Sequence, residues 1–129
     1  SASNTSAREL ENTVVRPLRQ QLMQVGKLRN IYSETRDGNG IIYLSFEYGT
    51  DTDLAFIEVN EKIDGAMNYL PKESERPRVI KASATDIPVF ILVLILHADS
   101  CFEETNIPKF MELSDFAESV IRRRFEQLP

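Results

Sequence analysis

Residues 36–48, with the sequence RDGNGIIYLSFEY, decide how the middle of this chain folds. The pairs Asp37-Gly38 and Asn39-Gly40 are the strongest short-range signals for a β-hairpin, because these residue types tolerate positive φ. In the strand that follows, successive side chains point to opposite faces. One face is formed by Ile42, Leu44, Phe46 and Tyr48, and the other by Ile41, Tyr43, Ser45 and Glu47. Since both faces carry apolar side chains, we expect both to be partly covered.

Before the hairpin, apolar residues recur at intervals of three or four, which predicts an amphipathic helix over residues 7–25. Its apolar face consists of Leu10, Val14, Leu18, Leu22 and Val25. Ser6 and Glu9 have the spacing of a capping box at its start. Pro17 removes a backbone hydrogen bond and is expected to bend the helix, and Gly26 is expected to cap its end. Residues 28–35 are predicted to form the first strand of the hairpin.

After the hairpin, residues 49–53 provide several side chains that can cap a helix N terminus, Asp51 and Asp53 among them. The helix that follows has an apolar stripe and should stop at Pro71. The stripe consists of Phe56, Val59, Ile63, Met67 and Leu70. Residues 78–83 are predicted to form a short strand, residues 89–96 a buried strand, and residues 109–127 a third helix. The inward residues of this last segment are Leu113, Ala117, Val120 or Ile121, and Leu128.

The predicted order of elements, helix-strand-strand-helix-strand-strand-helix, indicates an α+β fold. A helix that crosses between two neighbouring strands is interpreted as the split β-α-β unit of ferredoxin-like folds. The complete ferredoxin-like unit begins with a strand that this order lacks. We expect residues 89–96, the most apolar segment, to fill that gap, either within one chain or from a neighbouring chain, because leaving their side chains in water would cost on the order of 10 kcal/mol.

Composition and charge exclude several classes of protein. The chain has 129 residues, of which 42% are hydrophobic and 27% charged, and these values are typical of a globular domain. Its single Cys and single His exclude a disulfide framework and a Cys-based metal site. The net charge of −5 argues against nucleic acid as a partner. The longest apolar run, residues 88–96, is too short for a membrane-spanning helix, which needs about 20 residues.

The N-terminal residues are small and polar, and the chain does not begin with Met. They lack the charged and apolar regions of a secretory signal peptide. We therefore expect that the chain has been excised from a longer protein or processed out of one.

Residues 46–55, with the sequence FEYGTDTDLA, closely resemble the signature F-E-x-G-T-D-x-D-x-A of resistance-nodulation-division (RND) efflux pumps. In that family the signature lies in the first large periplasmic loop. Further stretches resemble family motifs in the same order along the chain. They are Val15-Arg16-Pro17-Leu18, Leu70-Pro71 with Arg76-Pro77-Arg78-Val79, Pro88-Val89-Phe90, and Leu113-Ser114-Asp115-Phe116-Ala117. Together these matches extend over nearly all of the chain.

The resemblance implies a piece of the periplasmic porter region of a multidrug or acriflavin-resistance type efflux pump, a bacterial inner-membrane protein. Residues 1–83 would be an incomplete first porter subdomain, and residues 84–129 would open the second one, with their strand packed into the same sheet. The intact pump would be a homotrimeric, proton-driven antiporter that exports lipophilic small molecules with a periplasmic adaptor and an outer-membrane channel. The piece itself is expected to have no enzyme activity, no cofactor and no metal, and to be able to dimerise or swap strands.

The family's substrate-binding walls imply candidate contact residues in this chain. They are Tyr32 in the first strand of the hairpin, and Ile87, Val89 and Phe90 around the start of the last strand. Apolar and aromatic side chains suit this role, because burial of varied lipophilic molecules is non-directional. Val89 and Phe90 point to opposite sides of their strand, so at most one of them faces a cleft, and we favour Phe90.

Features that could carry chemistry have simpler interpretations. Asp51 and Asp53 could act as a paired acid and base, but their place between a strand and a helix favours capping. His97 and Cys101 are interpreted as incidental loop residues, because a nucleophilic thiol needs a base in contact with it. The basic run at residues 122–124 is interpreted as a solvated helix face, since acidic neighbours neutralise it.

A second hypothesis stays open at this point. The chain would be a free-standing ferredoxin-like module with a ligand-binding or regulatory role, and it would dimerise through its sheet. Residues 89–96 would then complete the sheet in place of the absent first strand. Specific affinity of the isolated chain for a small ligand would distinguish this module from a segment of a pump.

Overall fold

The computed structural model of the protein describes residues 7–36, 38–82 and 85–95. Its helices are α1, residues 7–22, and α2, Thr52–Met67. Its strands are β1, Leu28–Arg36, β2, Asn39–Phe46, β3, Arg78–Lys81, and β4, Val89–Ile95. Several predictions fall outside the described residues. They concern Ser6, the loop with His97 and Cys101, the helix over residues 109–127 and the basic run at residues 122–124.

The described strands form one antiparallel sheet in the order β1-β2-β4-β3, and the fold is α+β. β4 therefore lies inside the sheet, paired with β2 on one side and β3 on the other. This confirms the prediction that the most apolar segment is taken into the sheet. Because β2 and β3 are both antiparallel to β4, they run parallel to each other, and α2 connects them.

β1 and β2 form the predicted hairpin. Arg36 pairs with Asn39 at the turn end of the hairpin. Gly38 has a φ of +83°, a conformation that L side chains rarely adopt. Gly38 therefore lies in the turn, whereas Asn39 and Gly40 belong to β2. Asp37 itself lies outside the described residues.

α1 contains a π-helical turn that the sequence analysis did not predict, and the bend expected at Pro17 stays a prediction. Glu11–Val15 form a π-helical turn, and Arg16–Leu22 form a regular α-helix with Pro17 in its first turn. The N–H of Arg16 donates to the carbonyl of Glu11, five residues back. This wider turn relieves the clash that a proline ring makes with the carbonyl four residues before it.

The end of α1 also corrects the prediction. The helix ends at Leu22, and the residue with positive φ after it is Lys27, at +63°, rather than Gly26. The N–H of Gly26 donates instead to Oε1 of Glu58 in α2, at 3.1 Å. The turn is therefore held by a side chain from the other helix, and the predicted glycine cap was wrong.

Both described helices pack on one face of the sheet, which we call the first face. The sheet residues on it are Ile42, Leu44, Phe46, Phe90, Leu92 and Leu94, each 2% exposed or less. The helix residues packed against them include Leu10, Val14, Leu18 and Leu22 of α1 and Ala55, Val59, Ile63 and Ala66 of α2. Phe56 and Met67 of the predicted α2 stripe are partly buried beside them. The apolar sides predicted for the two helices are thus confirmed.

The opposite face of the sheet, which we call the second face, has its own apolar cluster. It consists of Ile41, Tyr43, Ala82, Val89, Ile91 and Val93, with Tyr32 and Ile80 partly buried against it. Ile41 is 0% and Tyr43 is 3% exposed, which confirms that both faces of β2 are covered. Tyr48 was predicted to share a face with Phe46, but it lies beyond the end of β2 and is 73% exposed.

Candidate functional site

The segment at residues 47–51 connects β2 to α2 through local hydrogen bonds. Gly49 has a φ of +82° and, beyond its chain neighbours, no described atom lies within 4 Å of where a Cβ would be. Thr50 Oγ1 donates to the carbonyl of Glu47 at 2.6 Å. Asp51 Oδ1 accepts from the N–H of Leu54 at 3.1 Å, so Asp51 caps α2 as predicted.

The same segment is tied to the residues that lead into β4. The N–H of Gly49 donates to the carbonyl of Asp86 at 3.1 Å, and Tyr48 Oη donates to Asp86 Oδ2 at 3.3 Å. The N–H of Phe46 donates to the carbonyl of Pro88 at 3.1 Å. We call residues 46–51 and 86–88 the junction, because they join the ends of β2, α2 and β4 at one edge of the sheet.

Asp53 has a structural partner separate from that of Asp51. Its Oδ1 lies 3.8 Å from Nζ of Lys81, and the Asp53 side chain is 88% exposed. The same ammonium group lies 4.5 Å from the ring centroid of Phe56. These contacts connect the first turn of α2 to β3, which agrees with a structural interpretation of both aspartates.

The structure does not bring the four predicted substrate-contact residues together. Tyr32 is half-buried on the second face, and Val89 lies on the same face, 0% exposed, with β2 between them. Phe90 is 0% exposed on the first face. Ile87 is half-buried in the bend before β4. Val89 and Phe90 do point to opposite sides of their strand, and their contact with a substrate stays a prediction.

A shallow cavity of about 200 Å³ opens beside the start of α2. Its lining includes Gly26, Lys27, Thr50, Asp51, Leu54 and Glu58. None of the predicted contact residues lines it. The sequence analysis missed this cavity, because residues 50–55 were interpreted through helix capping alone and the turn after α1 is brought to them only by tertiary packing.

Glu34 lies on the second face, opposite Ile41 in the β1–β2 register. Burial raises the pKa of the Glu34 carboxyl above its ordinary value of 4.5, although the positive charge of Arg36 works in the opposite direction. Arg36 Nη2 is 3.8 Å from Glu34 Oε1, whereas Oε2 of Glu34 is buried without a hydrogen-bond partner.

Within residues 7–36, 38–82 and 85–95, no group of three or more His, Cys, Asp or Glu side chains could hold a metal ion. In the same part of the chain, no helix combines the length and the apolar character needed to cross a membrane. Acidic side chains there instead cap helix α2, accept from the turn after α1 and form ion pairs.

The sequence profile of the AcrB/AcrD/AcrF family matches residues 1–129, the full length of the chain. The chain belongs to this family of RND efflux transporters. Membership in the AcrB/AcrD/AcrF family confirms the resemblance carried by residues 46–55. It favours a segment of an efflux transporter over a free-standing regulatory module.

Relatives within the AcrB/AcrD/AcrF family include membrane transporters of Pseudomonas putida. The toluene efflux pump membrane transporter TtgB of this organism is 37% identical over an alignment 97 residues long, which covers 73% of this chain and 9% of TtgB. The multidrug/solvent efflux pump membrane transporter MepB is also 37% identical, and its alignment covers 73% of this chain and 9% of MepB. The solvent-resistant pump membrane transporter SrpB is 36% identical over an alignment 91 residues long, which covers 68% of this chain and 9% of SrpB.

The chain thus spans 9% of the length of each of these curated relatives. No solved structure matches it significantly. Assignment to the family therefore depends on the sequence comparisons, and the description of the site depends on the structure of this chain.

Proposed function

We propose that this chain is part of the periplasmic porter region of a proton-driven RND efflux pump and forms part of the route of lipophilic small molecules. The observation that carries the proposal is membership in the AcrB/AcrD/AcrF family over the full chain. The relatives support the substrate class, because they are named as pumps for toluene, solvent or multidrug efflux.

The arrangement of the strands supports a ferredoxin-like porter subdomain. β2 and β3 are parallel, are connected by α2 and have one strand between them, as in a split β-α-β unit. In this proposal residues 1–83 belong to the first porter subdomain, and residues 84–129 open the second. β4 occupies the interior position that the first strand of a complete unit takes.

We infer that this segment moves as one rigid body when the pump changes state. Alternating access requires units that tilt against each other around a cleft without losing their own packing. The enclosed first face and the hydrogen bonds of the junction provide such a unit, because they connect both helices, the hairpin and β4. Proton-driven changes in the membrane part of the pump would then tilt it as a whole.

Tyr32 and Ile87 are the proposed first contacts for a substrate, because both are partly exposed. Val89 and Phe90 are enclosed in this arrangement, so their proposed contact with a substrate requires β4 to leave the sheet. A half-buried tyrosine suits a lipophilic ligand, since its ring provides apolar area and its hydroxyl a polar contact.

The proposed assembly is a homotrimer in the bacterial inner membrane that works with a periplasmic adaptor and an outer-membrane channel. In this proposal the segment forms part of the wall of the substrate route and tilts when the pump changes state. It needs no catalytic group, cofactor, metal or nucleic acid for this role. The energy for export would come from the proton-conducting membrane part of the same pump.

A chimera of TtgB tests the proposal. The aligned 97 residues of TtgB are replaced by those of this chain, and the chimera is produced in an efflux-deficient bacterium. We expect toluene tolerance close to that given by TtgB, a loss of tolerance with Tyr32→Ala, and no loss with the exposed control Tyr69→Ala. A chimera that reaches the membrane in normal amount but gives no tolerance would overturn the proposal.

A further inference from the structure

One side of α2 faces β3 and the residues that lead into it. The side chains on this side recur at intervals of three or four residues, as neighbours along a helix do. They are Asp53, Phe56, Asn60 and Asp64. Each of the four contacts a cationic side chain from the β3 segment, either Arg76 or Lys81. We call these two cations and their four partners the clasp.

Arg76 forms the first part of the clasp with two short hydrogen bonds. Its Nη1 donates to Asp64 Oδ1 at 2.6 Å, and its Nη2 donates to Asn60 Oδ1 at 2.7 Å. Nδ2 of Asn60 in turn donates to the carbonyl of Phe56 at 2.8 Å, which orients the amide oxygen toward the guanidinium group. Because a guanidinium group is planar and rigid, its second hydrogen bond costs little additional side-chain entropy.

Lys81 forms the second part of the clasp. Its Nζ lies 3.8 Å from Asp53 Oδ1 and 4.5 Å from the ring centroid of Phe56. The two parts have matching spacing, because five residues of extended chain separate the cations and eleven helical residues separate Asp53 from Asp64. Both distances are about 17 Å. The clasp can therefore hold the helix and the strand segment side by side at two points.

Few other side-chain contacts attach β3 to the rest of the protein. None of its four residues is buried, and Val79 and Ile80 are only half-buried. Among the described strands, β3 pairs with β4 alone, whereas β4 pairs with β2 over its whole length and has six buried residues. Segments with little buried apolar area open locally at a lower free energy than the core does. Opening of β3 therefore costs less than opening of β4.

We propose that the clasp is a conformational strap that sets how often β3 detaches from β4 while β2 and β4 stay paired. The side chains of Arg76 and Lys81 are 41% and 48% exposed, so dissolved salt screens their charges. Detachment frees one edge of β4, and contact of a substrate with Val89 or Phe90 requires β4 to leave the sheet. This link to substrate contact rests on the proposed function, whereas the detachment itself is a property of the chain.

Backbone amides of β4 report separately on its two neighbours. The N–H of Ala82 donates to the carbonyl of Val89 at 2.8 Å, and the N–H of Phe46 donates to the carbonyl of Pro88 at 3.1 Å. Hydrogen-bonded positions alternate along an antiparallel pair. By this alternation and the strand register, the β4 amides directed to β3 are those of Ile91 and Val93, and the amides directed to β2 are those of Phe90 and Leu92.

Hydrogen exchange of the complete chain, measured by NMR, tests the proposal. In Arg76→Gln, the amides of Ile91 and Val93 should exchange about 5-fold faster than in the unaltered chain, because β3 detaches more often. The amides of Phe90 and Leu92 should change by less than about 2-fold, which shows that the variant is folded and that β2 stays paired. Lys72→Gln, at an exposed position outside the clasp, is the matched control and should alter neither pair of amides.

Ionic strength provides a second measurement that needs no substitution. Raising the NaCl concentration from about 0.05 M to about 0.5 M should accelerate exchange at Ile91 and Val93 relative to Phe90 and Leu92. The variant with both Arg76→Gln and Lys81→Met should lose most of this acceleration, because it lacks both cations.

Two results would overturn the proposal. Unchanged exchange at Ile91 and Val93 in Arg76→Gln would show that the clasp does not hold β3. Equal acceleration of all four β4 amides would show that the strand opens as a whole. Both results concern the chain alone, whereas toluene tolerance of the TtgB chimera tests the efflux function, so the two failures are distinguishable.

Discussion

The ring of Phe90 in β4 meets the ring of Phe46 in β2 edge to face, with 5.5 Å between the ring centroids. Phe56 of α2 contacts the same Phe90 ring, with 5.9 Å between centroids. Edge-to-face pairs add to the stabilisation that burial alone gives. Phe90 therefore connects the interior strand to the hairpin and to the helix layer.

Phe90→Ala is expected to lower the free energy of unfolding by about 3–5 kcal/mol, because it removes a fully buried aromatic side chain and leaves a cavity. Urea denaturation followed by circular dichroism measures the change. Tyr69→Ala, at a side chain that is 73% exposed, is the matched control and should change stability by less than about 0.5 kcal/mol. Similar losses for the two variants would show that the three phenylalanines do not form the core.

Asp51→Ala should lower the free energy of unfolding by about 1 kcal/mol, because the N–H of Leu54 loses its capping acceptor. Asp51→Asn keeps an oxygen acceptor and should retain most of the stability. Asp53→Ala, at a neighbouring side chain that is 88% exposed, controls for the loss of a carboxylate. Thermal unfolding of the variants makes the comparison, and equal losses for Asp51→Ala and Asp51→Asn would exclude capping as the cause.

Gly49→Ala should destabilise the chain by about 1–2 kcal/mol, because an L residue at a φ of +82° is strained even where its Cβ has space. Gly49→Asn should cost less, since Asn adopts this conformation more readily. Gly26→Ala is the matched control, because its Cβ would lie in ordinary contact, 3.6 Å from Glu58 Oε1, without positive φ. Denaturant titration separates the cases, and a larger loss at Gly26 would rule out strain as the reason.

Glu34 should make stability depend on pH. Its pKa is raised by burial, so the folded chain binds the Glu34 proton more tightly than the unfolded chain does. As pH rises from the ordinary pKa of 4.5 through the higher folded-state pKa, the contribution of Glu34 to stability therefore falls, and it stays low above that window. Glu34→Gln should then stabilise the chain at pH 7 and have little effect at pH 4.

Melting temperatures of the unaltered and Glu34→Gln chains at these two pH values provide the measurement. Glu61→Gln, at an exposed position in α2, controls for the loss of one negative charge. The idea fails if Glu34→Gln lowers the melting temperature at pH 7, or if the control shows the same dependence on pH.

Local periodicity was enough to predict the hairpin, the two faces of β2 and the inward sides of both described helices. These features depend on residues that are close in sequence, such as Gly38, which has positive φ in the turn between β1 and β2. The interior position of β4 could also be predicted, because a strand without polar alternation is apolar on both faces, which is typical of a strand buried inside a sheet. The end of α1 could not, because the turn after it depends on a hydrogen bond from Gly26 to Glu58, 32 residues away in sequence.

The candidate site was less accessible to sequence reasoning than the fold. Tyr32, Ile87, Val89 and Phe90 were selected through the family resemblance, and alternation along a strand cannot show which buried face opens to a cleft. The structure separates these residues between two faces and a bend. The cavity beside Leu54 combines the turn after α1 with the start of α2, and no local pattern brings those two segments together.

The interior position of β4 has a consequence for synthesis on the ribosome. The hairpin, α2 and β3 leave the exit tunnel before β4 does, and among the described strands β3 pairs with β4 alone. Cotranslational assembly of the sheet therefore pauses until residue 95 has emerged. During that interval the inner edge of β2 is an unpaired template on which a neighbouring nascent chain can add a strand. Chaperones that bind emerging polypeptides would thus protect this chain most in the time between translation of β3 and translation of β4.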